Sequence, residues 1–401
     1  MFQTRMKTHH SAMAEGKEYV LGPKKVVEVL KEEPLVAHTN GTIYIHIPFC
    51  KKICSFCNMR RSLSNPKTGY GQTIISEIES YSELPYIKAQ IFDAVYFGGG
   101  TPTTLDVNDL REILRALKKN FTFTSNAEFT IETTVTELDN EKLDMFLQEG
   151  VTRFSVGVQT FNDSGRKLMG RIGDGSYAYA KLKQIKDMGF HTVTMDLIYN
   201  YENQSINMLK EDLDKIISLN LDGFSMYSLI NMKNTNITSA QSDDKDFELF
   251  NFIADYMKEA GYNFLELTKM VKKDKYKYIM NRHQGADTLP LGAGAGGSIN
   301  GMAIMNPIVL EEYEASVANI HDKMGMHFAP SYKEITKFKG DIQILHIPRN
   351  KSLYKNIDNY HNLLKRLIDE EMVVKVEDGY KLTQKGVFWG NSISRELSEL
   401  I

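Results

Sequence analysis

From residue 41 to about 270, β-rich runs alternate with helical ones, and this alternation limits the possible fold more than any other feature of the chain. The β-rich runs are GTIYIHI (41–47), DAVYF (93–97), EFTIE (128–132), RFSVGV (153–158), HTVTMDLI (191–198) and DGFSMYSL (222–229). Between two of them, DLREILRALKKN sets Leu110, Ile113, Leu114 and Leu117 at helical spacing. The next helix is expected to bury Leu143, Phe146 and Leu147 and to stop near Gly150. Strands alternating with helices build a parallel sheet with crossover helices. Six such units predict an α/β fold, a partial (β/α)6 TIM-like barrel, over residues 41–270. Functional residues then belong at the C-terminal ends of the strands.

The flanks read differently. Residues 1–40 form an N-terminal extension, and 271–330 is a glycine-rich segment expected to close the barrel. In 331–401, HNLLKRLIDEEM places Leu363, Leu364, Leu367 and Ile368 on one helix face. VVKVEDGYKLT reads as a hairpin turning at Asp378-Gly379, and a final helix carries Phe388 and Trp389. This order predicts a winged-helix-like C-terminal α+β cap. The segment has no pronounced basic stripe and the chain's net charge is −3, so neither nucleic acid nor membrane is an expected partner. No secretory pattern and no membrane-length apolar run stand out, which predicts a cytoplasmic protein.

Cys50, Cys54 and Cys57 are the only cysteines, spaced C-x-x-x-C-x-x-C. A disulfide framework does not fit a chain of this length with three cysteines. A [4Fe–4S] cluster usually takes four thiolates. Three leave one iron open, and an open iron can chelate the amino and carboxylate groups of S-adenosylmethionine (SAM). Two other readings compete: structural zinc with His46 as fourth ligand, and three merely buried thiols. The cluster reading implies a reducing, low-oxygen cytosol.

Other candidates sit at strand ends. Phe56, between the last two cysteines, either packs against adenine or shields the cluster. Gly98, Gly99 and Gly100, followed by Thr101 and Pro102, let backbone approach a ligand or simply make a tight turn. Glu132, Gln159 and Asp196 fall at later strand mouths, with Arg171 on a following segment. A carboxylate there can take ribose hydroxyls, and an arginine can hold a carboxylate; each alone can equally be a cap or a surface pair. DTLPLGAGAGGSINGMAIMN (287–306) is glycine-rich and reads as close approach to SAM or to a flat apolar substrate, or else as an internal turn.

YIHIPFCKKICSFC, YFGGGTPT, TIET, SVGVQTFN and MDLIY together resemble the coproporphyrinogen-dehydrogenase-like radical-SAM superfamily. The likeness implies a partial barrel with a C-terminal cap. It implies SAM contacts at Tyr44, Gly99, Gly100, Thr101, Glu132, Gln159, Arg171 and Asp196. QGADTLPLGAGAGGSINGMAIMN, GVFWGNSISRELSEL and FQTRMKTHH are similar to the haem-utilisation branch, the anaerobilin synthases. That branch implies a methyltransferase that opens haem anaerobically by radical methylation of a meso carbon, using two SAM molecules and releasing iron. It further implies haem as substrate and a flavodoxin- or ferredoxin-type electron donor. Candidates for haem are His9 and His10 as iron ligands, Arg60 and Arg61 for the propionates, and Met302 and Met305 lining the slot. The bland alternatives are a mobile tail, a solvated pair and core packing. Asn58 and Met59 stand where coproporphyrinogen dehydrogenases carry a further cysteine. Asn200, Tyr201 and Glu202 replace a Gly-Leu-Pro usual in relatives. The competing functions are a haem chaperone of the same superfamily, an oxygen-independent coproporphyrinogen III dehydrogenase, and a zinc-stabilised nucleic-acid binder.

Overall fold

A computed structural model describes residues 2, 5–6, 19–34, 39–230, 237, 242–349 and 351–401. The strands are β1 (Val20–Lys25), β2 (Gly41–Ile47), β3 (Ile91–Gly99), β4 (Thr122–Thr134), β5 (Arg153–Gln159), β6 (Thr192–Tyr199), β7 (Gly223–Ser228), β8 (Asn263–Glu266), β9 (Lys269–Val271), β10 (Thr288–Leu291), β11 (Gly296–Ile299), β12 (Met302–Met305), β13 (Met324–Phe328), β14 (His346–Pro348), β15 (Val373–Val376) and β16 (Gly379–Leu382). Strands β2 to β7 pair in chain order and in parallel, as the alternation predicts. Their residues are buried almost throughout β2, β5 and β6, as in a sheet covered on both faces.

Two additions complete this sheet. β10 pairs in parallel with the outer edge of β2, and the β8–β9 hairpin pairs antiparallel with β7, giving nine strands. A second sheet runs β1-β13-β12-β11, and a third runs β14-β16-β15.

The covering helices follow their local signals. Helix Val107–Asn120 is N-capped by Asp106, which accepts from the Asp109 amide at 2.8 Å, and it ends on Lys118 and Lys119. It buries Leu110, Ile113, Leu114 and Leu117. Helix Asn140–Gln148 departs from expectation: Leu143 and Phe146 are buried, but Leu147 is 45% exposed and Met145 is buried instead.

In the C-terminal unit, helix Ile357–Asp369 buries Tyr360, Leu363, Leu364 and Leu367. Ile368 falls off that stripe and is exposed, because one step along a helix turns about 100° away from Leu367. β15 and β16 form the hairpin that turns at Asp378-Gly379. Trp389 does not continue the last helix; it separates Gln384–Phe388 from Gly390–Ser398. Among the described residues no helix is long and apolar enough to cross a membrane.

Candidate functional site

A cavity of about 800 Å³ opens at the C-terminal ends of the parallel strands. Its construction starts at the glycine run. The Gly100 amide donates to the Ile47 carbonyl and the Thr101 amide to the Phe49 carbonyl, both at 2.8 Å. A Cβ on Gly100 would lie 2.6 Å from the Phe49 oxygen, and Gly99 has φ +110° with the His46 ring against it. The glycines therefore admit the chain that carries the cysteines, and two of the run's amides are spent on it.

The three cysteines are free thiols on the wall of this cavity. Cys50 Sγ lies 3.8 Å from Thr101 Oγ1, and Arg171 Nη1 donates to Cys54 Sγ at 3.1 Å. Burial pushes the Cys50 and Cys57 thiols up; Cys57 and Cys54 raise Cys50 further, and Cys54 raises Cys57. Binding metal is what would strip their protons. His46 is not aimed at them. Its Nδ1 meets the Tyr44 hydroxyl at 3.0 Å and its Nε2 the Arg60 carbonyl at 2.8 Å. Among the described residues no three His, Cys, Asp or Glu converge to hold a single metal ion. Three soft donors on one wall, a compensating guanidinium and no fourth protein ligand among the described residues fit a cluster with an open corner better than zinc.

The strand mouths supply the polar lining. Glu132 accepts from the Tyr96 hydroxyl at 3.2 Å. Burial first, and then the Asp196 charge, push its carboxyl up to about 8. Burial likewise raises Asp196, against the pull of the Lys269 ammonium. Gln159 ends β5 at φ +74°, beside a register shift against β6. A non-glycine residue held in the left-handed region at a strand mouth marks stored strain of the kind found at functional sites. Arg171 also donates to the Gly157 carbonyl, and its buried Nε has no partner among the described residues. Asn200, in the remodelled loop after β6, is left-handed too (φ +63°), with its amide tied to Gln204 Oε1 at 2.7 Å.

The cavity gathers Phe56, Gly99, Gly100, Thr101, Glu132, Gln159, Arg171, Asp196 and Arg61 around the cysteines. Other candidates fall elsewhere. Tyr44 does not line it: the ring packs on Tyr96 and Tyr278 behind the wall, and its hydroxyl faces His46. Arg60 is turned outward, with Nη1 2.9 Å from the Met305 sulfur. Met302 is fully buried and Met305 is 54% exposed, because β12 belongs to the small sheet and its alternate side chains face core and solvent. His9 and His10 lie outside the described residues. The 287–306 stretch packs on the cysteine strand rather than on the cavity. A Cβ on Gly292 would lie 2.3 Å from the His46 oxygen, and the Gly292 amide donates to Glu77 at 2.8 Å.

Several lining residues were not among the candidates singled out from the sequence. Arg5 reaches the cavity from the N-terminal segment, where its guanidinium donates to Asp246 at 2.9 Å and to the Phe388 carbonyl at 2.8 Å. His283 and Glu266 pair at 3.2 Å on the opposite wall, beside Arg282 and Tyr276. Below them Arg153 holds Asp274 through two bonds of 3.0 and 2.8 Å, and Lys269 is buried 3.5 Å from the same carboxylate.

A parallel sheet with a three-cysteine loop after its first barrel strand defines a class, and the comparisons agree: the radical SAM superfamily matches residues 44–216. The chain belongs to that superfamily and, within it, to the coproporphyrinogen-dehydrogenase-like family. Membership implies a [4Fe–4S] cluster and SAM.

Among individual relatives, the anaerobilin synthase of Escherichia coli O157:H7 is 29% identical over 374 residues, 90% of this chain and 84% of that one. The heme chaperone HemW of Lactococcus lactis is 30% identical over 277 residues, 66% of this chain and 72% of its own. The solved coproporphyrinogen III oxidase of Escherichia coli shares the fold, with TM-score 0.79, 21% identity and coverage of 94% and 93%.

Proposed function

We propose that the protein is a radical-SAM methyltransferase that opens haem anaerobically at a meso carbon, giving a linear tetrapyrrole of the anaerobilin type and freeing the iron. The observation that carries this reading is the size and charge of the cavity. At about 800 Å³ it falls in the range of pockets that enclose a large organic ligand. Its wall carries Arg5, Lys51, Lys52, Arg61, Arg171, Arg282, Lys339 and Arg395 against only Glu132, Glu137, Asp196 and Glu266. The chain as a whole has net charge −3, so the excess of cations is local to this wall. A flat molecule with two carboxylates meets such a surface favourably. The likeness to the anaerobilin synthase runs over 90% of the chain and supports the same substrate.

When bound, the cluster and SAM supply a 5′-deoxyadenosyl radical. The chain's own residues bind and orient. Cys50, Cys54 and Cys57 would hold three irons. Glu132 accepts the ribose hydroxyls, and Arg171 holds the methionyl carboxylate. Asp196 and Gln159 complete the polar side, while Phe56 and Ile198 help keep water from the reacting face. Arg61 and Arg282 take the propionates. No cysteine beyond the triad exists to relay a methyl group, so a second SAM is the methyl source in this reading.

The similar identity to the heme chaperone supports one alternative, in which the same cavity holds haem without turning it over. Anaerobic incubation with haem, methyl-labelled SAM and a strong reductant separates the readings by product mass. A methyl-labelled linear tetrapyrrole with 5′-deoxyadenosine supports the enzyme. Unchanged haem without 5′-deoxyadenosine supports the chaperone. Carboxyl loss from a porphyrinogen without methyl gain supports the oxidase chemistry.

A further inference from the structure

Of the described residues that line the cavity, one is a histidine, His283. It closes helix Lys277–His283, and its partner Glu266 ends β8, the strand at the opposite end of the nine-stranded sheet from β10 and β2. His283 Nε2 meets Glu266 Oε2 at 3.2 Å, and the two side chains are only 16% and 11% exposed. A carboxylate accepts, so the ring nitrogen facing it is the one that carries the proton. Nδ1 then keeps its lone pair. No described residue bonds to Nδ1, and it is not sealed from the space around it. An imidazole with one N–H held by a carboxylate and the other nitrogen open is the arrangement that metal-ligating histidines adopt. The carboxylate fixes the ring and makes the open nitrogen the stronger donor.

The backbone under this pair is anchored from both sides. Helix Ser331–Gln343 presses on His283 through Gly340, where a Cβ would collide with the His283 carbonyl. The same helix accepts the Leu267 amide, next to Glu266, on the Gln343 carbonyl at 3.0 Å. Among the described residues no third His, Cys, Asp or Glu joins the two to make a site for a bare ion. A metal already held in the plane of a macrocycle asks for less: one axial nitrogen completes its protein ligation. Arg282, the neighbour of His283 in the chain, also lines the cavity and offers a cation beside that nitrogen.

We propose that His283 is the axial ligand to the iron of the haem substrate, with Glu266 as the residue that positions it. One coordinate bond forms, from Nδ1 to the iron, and no electron or proton is transferred in forming it. The tether sets the plane of the macrocycle, and Arg282 restrains its rotation about that bond through a propionate. Together they decide which edge of the ring is turned toward the cysteine side. The inference rests on the reading of the cavity as a haem site, and on neither turnover nor methyl transfer.

The test loads ferric haem onto the anaerobically reconstituted full chain, labelled with isotope at its histidine ring nitrogens, while the cluster is oxidised. Pulsed EPR should detect coupling between the haem iron and a labelled nitrogen in the wild type and lose it in H283A. H283A should also bind haem at least about tenfold more weakly, since losing only the partner of a ligating histidine costs roughly 10- to 100-fold in metal affinity. E266Q, which keeps the imidazole, should keep the coupling, lose affinity within that range and raise the reduction potential of the haem iron, because the ring donates less to the ferric state. Metal-free protoporphyrin, which has no iron to ligate, should bind the wild type and both variants alike. Coupling that survives in H283A would overturn the proposal and assign the ligand to another histidine, such as His9 or His10. Equal weakening with the metal-free ring would overturn it too, because His283 would then be a packing residue. Haem taken up by the wild type without any histidine coupling would overturn the proposal alone, whereas a wild type that takes up neither ring would overturn the haem reading and the proposal with it.

Discussion

The guanidinium of Arg171 sits 3.1 Å from the sulfur of Cys54. One residue thereby touches the metal-binding wall and also lines the cavity beside it. A cation here offsets thiolate charge and offers a planar donor to a carboxylate.

Replacing Arg171 with alanine should therefore weaken SAM binding. A hydrogen bond to a charged group contributes about 1.5–3 kcal/mol, which corresponds to roughly 10- to 100-fold in affinity. R171K should recover only part of this, since an ammonium lacks the two-pronged geometry. Equilibrium dialysis of SAM against the reconstituted proteins, with iron content as control, measures both.

Glu132 gives a pH-dependent stability. Its carboxyl is raised from 4.5 to about 8 in the folded protein. Between those values the folded state keeps a proton that the unfolded state has lost, so stability falls as pH rises through this window and levels off above about 8. The cluster-free E132Q variant should melt several degrees above the cluster-free wild type above about pH 8. The difference should close toward the ordinary carboxylate range. Thermal melts across pH would show it, and parallel curves would refute it.

Gly100→Ala tests how the glycine run holds the loop. The added Cβ would meet the Phe49 and Pro48 backbone at 2.6–2.7 Å, and backbone cannot step aside as a flexible side chain can. Overpacking of this kind costs about 1–3 kcal/mol. The displaced loop should also retain less iron after reconstitution, measured as iron and sulfide per chain.

Glu77 is buried and accepts from Gly292, Asn306, Tyr313 and Lys323 at 2.7–2.9 Å. E77L should cost about 3–5 kcal/mol, because it strands the Lys323 ammonium, whose side chain is 4% exposed. The double variant E77L/K323M should recover much of the loss. Urea titration of the two variants gives the comparison; equal destabilisation would show that the pair's charge is not the cause.

The parallel sheet was legible because short β-rich runs, several with polar residues among the apolar ones, alternate regularly with helical stretches. The metal-binding loop was legible because cysteine occurs nowhere else. β10 was hidden: TLPL contains Pro290 and lies inside a glycine-rich stretch that reads as a loop. The glycines of that stretch read equally as approach to a ligand or as an internal turn, because sequence shows that backbone comes close without showing what it approaches; here it is the strand carrying His46. Tyr44 was placed on the cavity by resemblance, yet its own aromatic neighbours hold it behind the wall. The pairing of Glu266 with His283, and of Arg153 with Asp274, joins residues far apart in the chain, and no local periodicity announces such contacts.

The seating of β10 beside β2 has a consequence for biosynthesis. Thr42 and Thr288, hydrogen-bonded across that pair, are 246 positions apart. On the ribosome the strand leading to the metal ligands emerges with one edge bare, and its neighbour arrives only after most of the polypeptide has been made. Until then the nascent chain offers an open edge to any passing strand. Iron–sulfur delivery to a fully formed pocket is therefore a late event, and a gene truncated after the six repeating units would yield a product prone to aggregate rather than a minimal functional barrel.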